Sequence, residues 1–204
     1  MVATVAALFV DVKGPYFGRP DVDPWDESRD ARNYRGALPV VAHPPCEAWS
    51  KLAPLREMRS GKPMGIDGGC FASALQSVFR WGGALEHPAE STAWAQYGLT
   101  RPVYGDWMPA RDASGRVYWV TEVWQVDYGH RARKRTWLLY VGKTRPAPML
   151  ARKDRHVACV SGSRNRCSRP TGGRNRVWSA EAKRSPVSFA EALISLARNC
   201  GGAQ

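Results

Sequence analysis

Two short segments of the chain each place a reactive side chain at the end of an apolar run. Pro39-Val-Val-Ala-His-Pro-Pro-Cys46 presents a cysteine, and Ala84-Leu-Glu-His-Pro88 presents the carboxyl group of Glu86. A cysteine thiolate can form a covalent intermediate, and a carboxyl group can transfer a proton to a reacting ring. Together they could add a thiolate to a pyrimidine while protonating it, which predicts chemistry on a nucleic-acid base.

Neighbours of these two groups are candidates for contacts to the same substrate. His43 and His87 flank the pair, and each is either a proton shuttle or a hydrogen-bonded structural group. Pro45 stiffens the approach to the cysteine, and Trp49, three residues beyond it, could stack on a base. The alternative for Cys46 itself is an inert buried cysteine.

The hydrophobic pattern predicts the elements that position these groups. Residues 40–43 indicate a short apolar strand and residues 84–86 the next one, with a helix capped by Asp67 between them. The apolar positions of that helix are Phe71, Leu75, Val78 and Phe79. Strand, helix and strand in succession favour a parallel βαβ unit, whose ligands bind at the carboxyl ends of the strands. We therefore expect an α/β, Rossmann-like fold with a mostly parallel sheet flanked by helices.

Further elements complete the predicted sheet and its covering helices. Residues 2–12 indicate a first core strand, and residues 13–37 indicate a polar loop rich in Pro, Gly, Asp and Arg. Residues 117–126 and 136–141 indicate two more strands. Ser188-Phe-Ala-Glu191 is typical of a capping box and predicts a C-terminal helix.

Charge and cysteine content limit the classes of partner. The net charge is +12, and the basic residues concentrate between positions 129 and 186, which favours a nucleic-acid partner over the alternative of a solvated basic surface. No run of about eighteen apolar residues predicts a membrane span, so no membrane partner is expected. Five cysteines without framework spacing indicate a reducing cytoplasm. His156, Cys159 and Cys167 lack a clear fourth ligand, so no metal site is predicted.

These features divide the chain into three predicted parts. Residues 1–142 form the catalytic Rossmann-like domain. Residues 143–186 form a basic, partly flexible segment that contacts nucleic acid, and residues 187–204 form a helix that docks on the core.

Three motifs in the same order resemble those of DNA cytosine-5 methyltransferases. Pro44-Pro45-Cys46 after an apolar strand resembles that family's catalytic loop, and Leu85-Glu86-His87 falls where the family has Glu-Asn-Val. Arg131-Ala-Arg133-Lys-Arg135 is similar to the family's Gln-x-Arg-x-Arg motif. The resemblance covers roughly residues 37–142.

The resemblance implies roles for these residues. Cys46 is implied to attack C6 of a flipped-out pyrimidine, Glu86 to contact N3 and the exocyclic amine, and Arg133 to steady the base and the glutamate. The residues expected to bind substrate are His43, Pro45, Trp49, His87, Arg131 and Arg135.

The family also implies S-adenosylmethionine as the methyl donor. Its Phe-x-Gly-x-Gly cofactor loop is not present in residues 8–16, which contain one glycine, and its long target-recognition domain is missing. Asp11 and Asp30 are the candidate cofactor-binding residues. The donor is therefore S-adenosylmethionine or another, unknown, group donor.

The predicted function is modification of cytosine C5 in DNA, with transfer of a methyl or other one-carbon-type group, in the cytoplasm of a bacterial or phage-infected cell. A protein partner could supply the missing functions. One alternative is a non-catalytic DNA-binding or anti-restriction protein on a degenerate methyltransferase scaffold, and another is an enzyme that acts on free nucleotides.

Overall fold

The computed structural model describes residues 2, 4–150, 159–160, 176–177 and 184–201. Its strands in chain order are β1 Val5–Leu8, β2 Val22–Trp25, β3 Val40–Ala42, β4 Gly83–Pro88, β5 Met108–Arg111, β6 Val117–Trp124, β7 Arg135–Val141, β8 Cys159–Val160 and β9 Arg176–Val177. Its α-helices are α1 Ala53–Ser60, α2 Cys70–Trp81, α3 Thr92–Gln96 and α4 Val187–Arg198. Single turns of 3₁₀ helix span Ala31–Asn33 and Gln125–Tyr128.

Seven strands form one mixed sheet in the order β2-β1-β3-β4-β7-β6-β5. The β1–β2, β1–β3 and β3–β4 pairs are parallel, whereas the β4–β7, β7–β6 and β6–β5 pairs are antiparallel. The α/β class is confirmed, but the sheet is half antiparallel instead of mostly parallel. The physical reason lies in the connections, because the loops joining β5 to β6 and β6 to β7 are too short for a parallel crossover. The strands β8 and β9 form a separate parallel pair.

The predicted βαβ unit is present as β3, α2 and β4. Asp67 caps the helix as expected, since its carboxylate accepts the backbone N–H groups of Gly69 at 2.9 Å and Phe71 at 2.8 Å. The chain then enters β4 through Gly83, whose φ is +114° and where a Cβ would lie 2.0 Å from the carbonyl oxygen of Val40. A glycine is required there because β3 and β4 approach too closely for a side chain.

Helices cover both faces of the sheet. Alternate residues of the central strands point to opposite faces, so that Ala42 and Leu85 pack on the α2 side while Val41 and Ala84 pack on the α4 side. The buried residues of α4 are Phe189, Ala190, Leu193, Ile194, Leu196 and Ala197. The parallel half of the sheet is therefore a rigid, fully buried support for the residues that follow its strands.

Several local predictions differ from the structure. The stretch 13–37, expected to be a loop, contains β2, and the first strand is shorter than residues 2–12. The capping box does not form, because Pro186 is the N-cap of α4 and the Ser188 hydroxyl donates to the Tyr128 carbonyl at 2.5 Å. Most of the predicted basic segment 143–186 lies outside the described residues. No helix in the described part of the chain is long and apolar enough to cross a bilayer.

Candidate active site

The candidate site lies at the carboxyl ends of β3 and β4. Ala42 pairs with Leu85, so His43 and Glu86 are the next residues along two adjacent parallel strands. The backbone N–H of His43 donates to the Leu8 carbonyl at 3.0 Å, which ties this end of β3 to β1. Three residues further on, the Cys46 carbonyl accepts backbone N–H groups at 3.1 and 2.9 Å and starts a turn. The sequence thus delivers the thiol and the carboxylate to one edge of the sheet.

Glu86 is a buried carboxylate whose two oxygens both accept hydrogen bonds. His43 Nδ1 lies 3.0 Å from Oε2, and Gln125 Nε2 donates to Oε1 at 3.3 Å. Burial raises the pKa of Glu86, but the His43 hydrogen bond and the charge of Lys134 outweigh it and lower the pKa to about 2. Glu86 is therefore ionised near neutral pH and can only accept hydrogen bonds at rest. To protonate a ring it must first receive a proton from another group.

Cys46 is partly buried beside this negative charge. Burial raises the pKa of its thiol, the charge of Glu86 raises it further, and the charge of Lys134 opposes both. The resting side chain is accordingly a thiol, and any event that neutralises Glu86 favours the thiolate.

Tyr16 is a further member of the site that sequence reasoning missed. Its hydroxyl lies 2.7 Å from His43 Nε2, and its side chain is almost completely buried. Burial first, and the charge of Glu86 second, raise the pKa of Tyr16 well above its usual value, so it stays a neutral hydroxyl. Tyr16, in the loop after β1, thus contacts the His43 ring nitrogen that does not face Glu86.

Gln125 was also missed, although it links the site to the β6–β7 connection. Its side-chain amide donates to Glu86 and, at 3.0 Å, to the Thr136 hydroxyl. Its backbone N–H donates to the Lys134 carbonyl at 2.9 Å, which fixes the segment that carries the site's cation. Its full burial is a property of the folded chain, so no local sequence signal identifies it.

The arginines of the third motif occupy other positions than the resemblance implied. Arg133 is exposed and its guanidinium lies 4.3 Å from the Trp124 ring centroid, while its neighbour Lys134 is the cation whose charge acts on Glu86. Of these two neighbours, Lys134 is the one whose charge lowers the pKa of Glu86. Arg131 is also exposed.

Arg135 was expected to bind substrate, but its guanidinium is engaged by two carboxylates. It contacts both oxygens of Glu122 at 2.8 Å and one oxygen of Glu90 at 2.9 Å. Glu90 also pairs with Lys51. Arg135 serves this network because Glu122 is buried and a lone buried carboxylate is costly.

Two predicted substrate contacts belong to the hydrophobic core instead. Trp49 is 3% exposed and its indole N–H donates to Asp67 at 2.9 Å, so no face of the ring is open to a base. His87 is fully buried beside Phe71, with ring centroids 5.1 Å apart. Burial lowers the pKa of His87 to about 4, although the charge of Glu86 and the Pro45 carbonyl both act to raise it. The ring is therefore neutral, and it lies against the loop that carries Cys46.

The candidate cofactor-binding residues lie on two surface loops. Asp11 is exposed and accepts the backbone N–H of Lys13 at 2.9 Å. Asp30 caps the Ala31–Asn33 turn, and both of its oxygens are bound by Arg32 at 2.8 Å. The described residues contain no group of three or more side chains arranged to hold a metal ion.

Comparison of the chain with protein-family models, curated proteins and solved structures found no match. The geometry of the site is therefore the basis for assigning a function.

Proposed function

We propose that this chain modifies pyrimidine bases in DNA at C5, with Cys46 as nucleophile and Glu86 as the group that protonates the ring. The observation that carries the proposal is the placement of a thiol and an ionised, buried carboxylate on adjacent parallel strand ends, where the charge of Glu86 acts directly on Cys46. The β3–α2–β4 unit supports the Rossmann-like interpretation of this half of the sheet.

The steps that lead to the activated base need no added cofactor. The Cys46 thiol loses its proton to water, and Sγ forms a bond to C6 of the ring. The C5–C6 double-bond electrons move onto the ring as N3 takes a proton through Glu86, which leaves C5 electron-rich. An electrophile then bonds to C5 and water takes the original C5 proton. The Sγ–C6 bond breaks as N3 returns its proton to Glu86.

S-adenosylmethionine does not fit the residues expected to hold it. Both oxygens of Asp30 are occupied by Arg32, and the loop after β1 buries Tyr16 against His43 where the family has a glycine cradle. No step of the proposed reaction therefore uses this cofactor, and the electrophile is to be identified by experiment.

DNA is the proposed partner because basic and aromatic groups lie next to the site. Arg133 stacks on Trp124, whose ring packs on Tyr104 with centroids 4.4 Å apart, and Trp124 directly precedes Gln125, which donates to Glu86. Residues 143–186 add twelve lysines and arginines against two acidic residues. Such a basic composition predicts binding that weakens steeply with salt.

The test is exchange of the C5 hydrogen with solvent, which requires Cys46 addition but no methyl donor. The protein is incubated in D₂O with random-sequence duplex DNA, single-stranded DNA, or free dCMP and dUMP, and the recovered nucleosides are weighed by mass spectrometry. We expect deuterium at C5 of a DNA pyrimidine with wild type and with the control Cys70→Ser, and none with Cys46→Ser.

The other outcomes separate the competing functions. Exchange only in free nucleotides indicates a nucleotide enzyme. No exchange with any substrate, together with salt-sensitive DNA binding that survives Cys46→Ser, indicates a non-catalytic DNA-binding protein and overturns the proposal.

A further inference from the structure

We infer that Tyr16 and His43 are positioning residues that form a proton relay behind Glu86, in which His43 stores the proton that the ring receives. The inference rests on the proposed function and deepens it, because it names the source of the proton that an ionised Glu86 lacks. It is carried by a continuous chain of contacts, from the Tyr16 hydroxyl to His43 Nε2 at 2.7 Å and from His43 Nδ1 to Glu86 Oε2 at 3.0 Å.

The chemistry of the three groups fixes how the hydrogens are arranged. A carboxylate can only accept, so Nδ1 must carry a hydrogen whenever His43 faces ionised Glu86. In the neutral ring Nε2 is then an acceptor, and the Tyr16 hydroxyl donates to it. In the protonated ring Nε2 becomes a donor, and the same hydroxyl oxygen accepts. Because a hydroxyl serves both roles, His43 can gain or lose a proton without leaving a buried nitrogen unpaired.

Of the nearby groups, His43 is the one suited to store this proton. Tyr16 is a neutral hydroxyl that stays protonated, since its ionised form would be buried beside Glu86. His87 is held neutral in the core between Phe71 and Trp94. His43 alone among the three has a carboxylate on one nitrogen and an adaptable hydroxyl on the other.

The relay moves one proton in two steps. The protonated His43 ring transfers its Nδ1 proton to Glu86 Oε2, which leaves a neutral ring with its hydrogen on Nε2 and a neutral carboxyl group. The carboxyl group then gives its proton to ring N3 as Cys46 Sγ bonds to C6, and becomes a carboxylate again. When the Sγ–C6 bond breaks, N3 returns its proton to Glu86, and Glu86 returns the proton to His43. During the first step the negative charge beside Cys46 disappears, so the thiolate forms more readily when the acid is loaded.

Charged and titratable groups from several elements act on the members of the relay. They are Tyr16 and Arg19 from the loop after β1, Cys46 from the loop after β3, Glu86 and His87 from β4, and Lys134 from the segment before β7. Because the charge of Lys134 lowers the pKa of Glu86, a pH profile reports on the whole set, and the variants must isolate His43.

The kinetic test uses the C5 exchange assay across a range of pH. Wild type should exchange faster as the pH falls, because the relay starts from a protonated His43 ring. In His43→Gln the amide N–H can still donate to Glu86 but stores no proton, so we expect a loss of about 100-fold and no such pH dependence. Tyr16→Phe should lose about five-fold, the effect of one hydrogen bond, and shift the pH profile. The control Tyr34→Phe removes a buried hydroxyl that bonds the Leu38 carbonyl, far from the relay, and should leave the profile unchanged.

A second measurement does not depend on activity. The chain has four histidines, and ring ¹⁵N spectra of wild type and His43→Gln assign the His43 signal. We expect neutral His43 to carry its hydrogen on Nδ1, and Tyr16→Phe to change the ¹⁵N shift of Nε2, which loses its hydrogen-bond partner. A hydrogen on Nε2 in the neutral ring, or an Nε2 shift that Tyr16→Phe leaves unchanged, overturns the relay.

The two tests separate this inference from the proposed function. Absence of C5 exchange in wild type overturns the proposed function and the relay's catalytic use together. Exchange that His43→Gln leaves within threefold of wild type, with the same pH profile, overturns the relay alone.

Discussion

Replacement of Glu86 by glutamine should remove a large part of the acid sensitivity of folding. Glu86 is 7% exposed, and its pKa in the folded protein is lowered from 4.5 to about 2, with burial opposed by the His43 hydrogen bond and the Lys134 charge. A carboxyl group with a lowered folded-state pKa stabilises the fold above its unfolded pKa, and this contribution is lost as the pH falls towards the folded value. Glu86→Gln keeps the shape of the side chain but has no such linkage.

The magnitude follows from the size of the pKa shift. A shift from 4.5 to about 2 corresponds to about 3 kcal/mol of stabilisation at pH 7, and about 1 kcal/mol of it remains at pH 3. The free energy of unfolding of wild type minus that of Glu86→Gln should therefore decrease by about 2 kcal/mol between pH 7 and pH 3.

Urea unfolding followed by tryptophan fluorescence, at several pH values, measures this difference. Asp106→Asn is the matched control, because the Trp107 N–H and Arg145 also lower the pKa of Asp106 but its side chain is 69% exposed. Solvent screening should make its pH dependence much shallower. If the wild-type and Glu86→Gln stabilities run parallel within about 0.5 kcal/mol from pH 7 to pH 3, the assignment of Glu86 as a buried, stabilising anion is wrong.

Three further predictions test other parts of the structure. Glu86→Gln should speed alkylation of Cys46 by iodoacetamide at neutral pH by about three- to tenfold, and exposed Glu47→Gln should have a smaller effect. Peptide mass spectrometry measures the rate, and an unchanged rate contradicts the effect of the Glu86 charge on Cys46. Gly83→Ala should destabilise the fold by about 3 kcal/mol or more. Gly115→Ala should cost about 1 kcal/mol, because nothing lies within 4 Å of the new Cβ there. Equal losses of thermal stability in the two variants contradict the close approach of Gly83 to Val40. Arg135→Ala should cost about 3–5 kcal/mol, because it leaves buried Glu122 with two indole N–H donors but without its cation, against less than about 1 kcal/mol for exposed Arg116→Ala. Urea unfolding of both variants checks the contrast.

The strands that the sequence predicted are rich in apolar residues. β3 is entirely apolar and β4 begins with an apolar run, on either side of a helix with regular spacing, and the structure has all three. In the seven-stranded sheet, the two strands that were missed, β2 and β5, each contain a proline, Pro24 and Pro109. They are the two edges of the sheet, where a missing N–H leaves no ladder bond unmade, so proline was compatible with strands that the pattern argued against.

Some residues of the candidate site could likewise be predicted from the local sequence, whereas others meet only through long-range contacts. Cys46 and Glu86 could be placed because Cys46 follows β3, Glu86 lies in the second half of β4, and parallel neighbours end at one edge of the sheet. Tyr16 lies 27 residues from His43, and Gln125 lies 39 residues from Glu86, so only the folded chain brings them together. The third motif contains basic residues at neighbouring positions, and no sequence pattern decides which of them faces the carboxylate.

Because of the charge of Glu86, Cys46 is not a reactive thiolate in the resting protein. While Glu86 is ionised, its charge and burial keep Cys46 protonated, and the thiol is a weak nucleophile. A ligand that donates hydrogen bonds to the carboxylate, or a proton that arrives from His43, removes that charge and lowers the energy of the thiolate at the same moment. Nucleophile and acid are then prepared by a single event at Glu86. Such coupling requires that the two groups share one buried environment, and the adjacent parallel ends of β3 and β4 provide it.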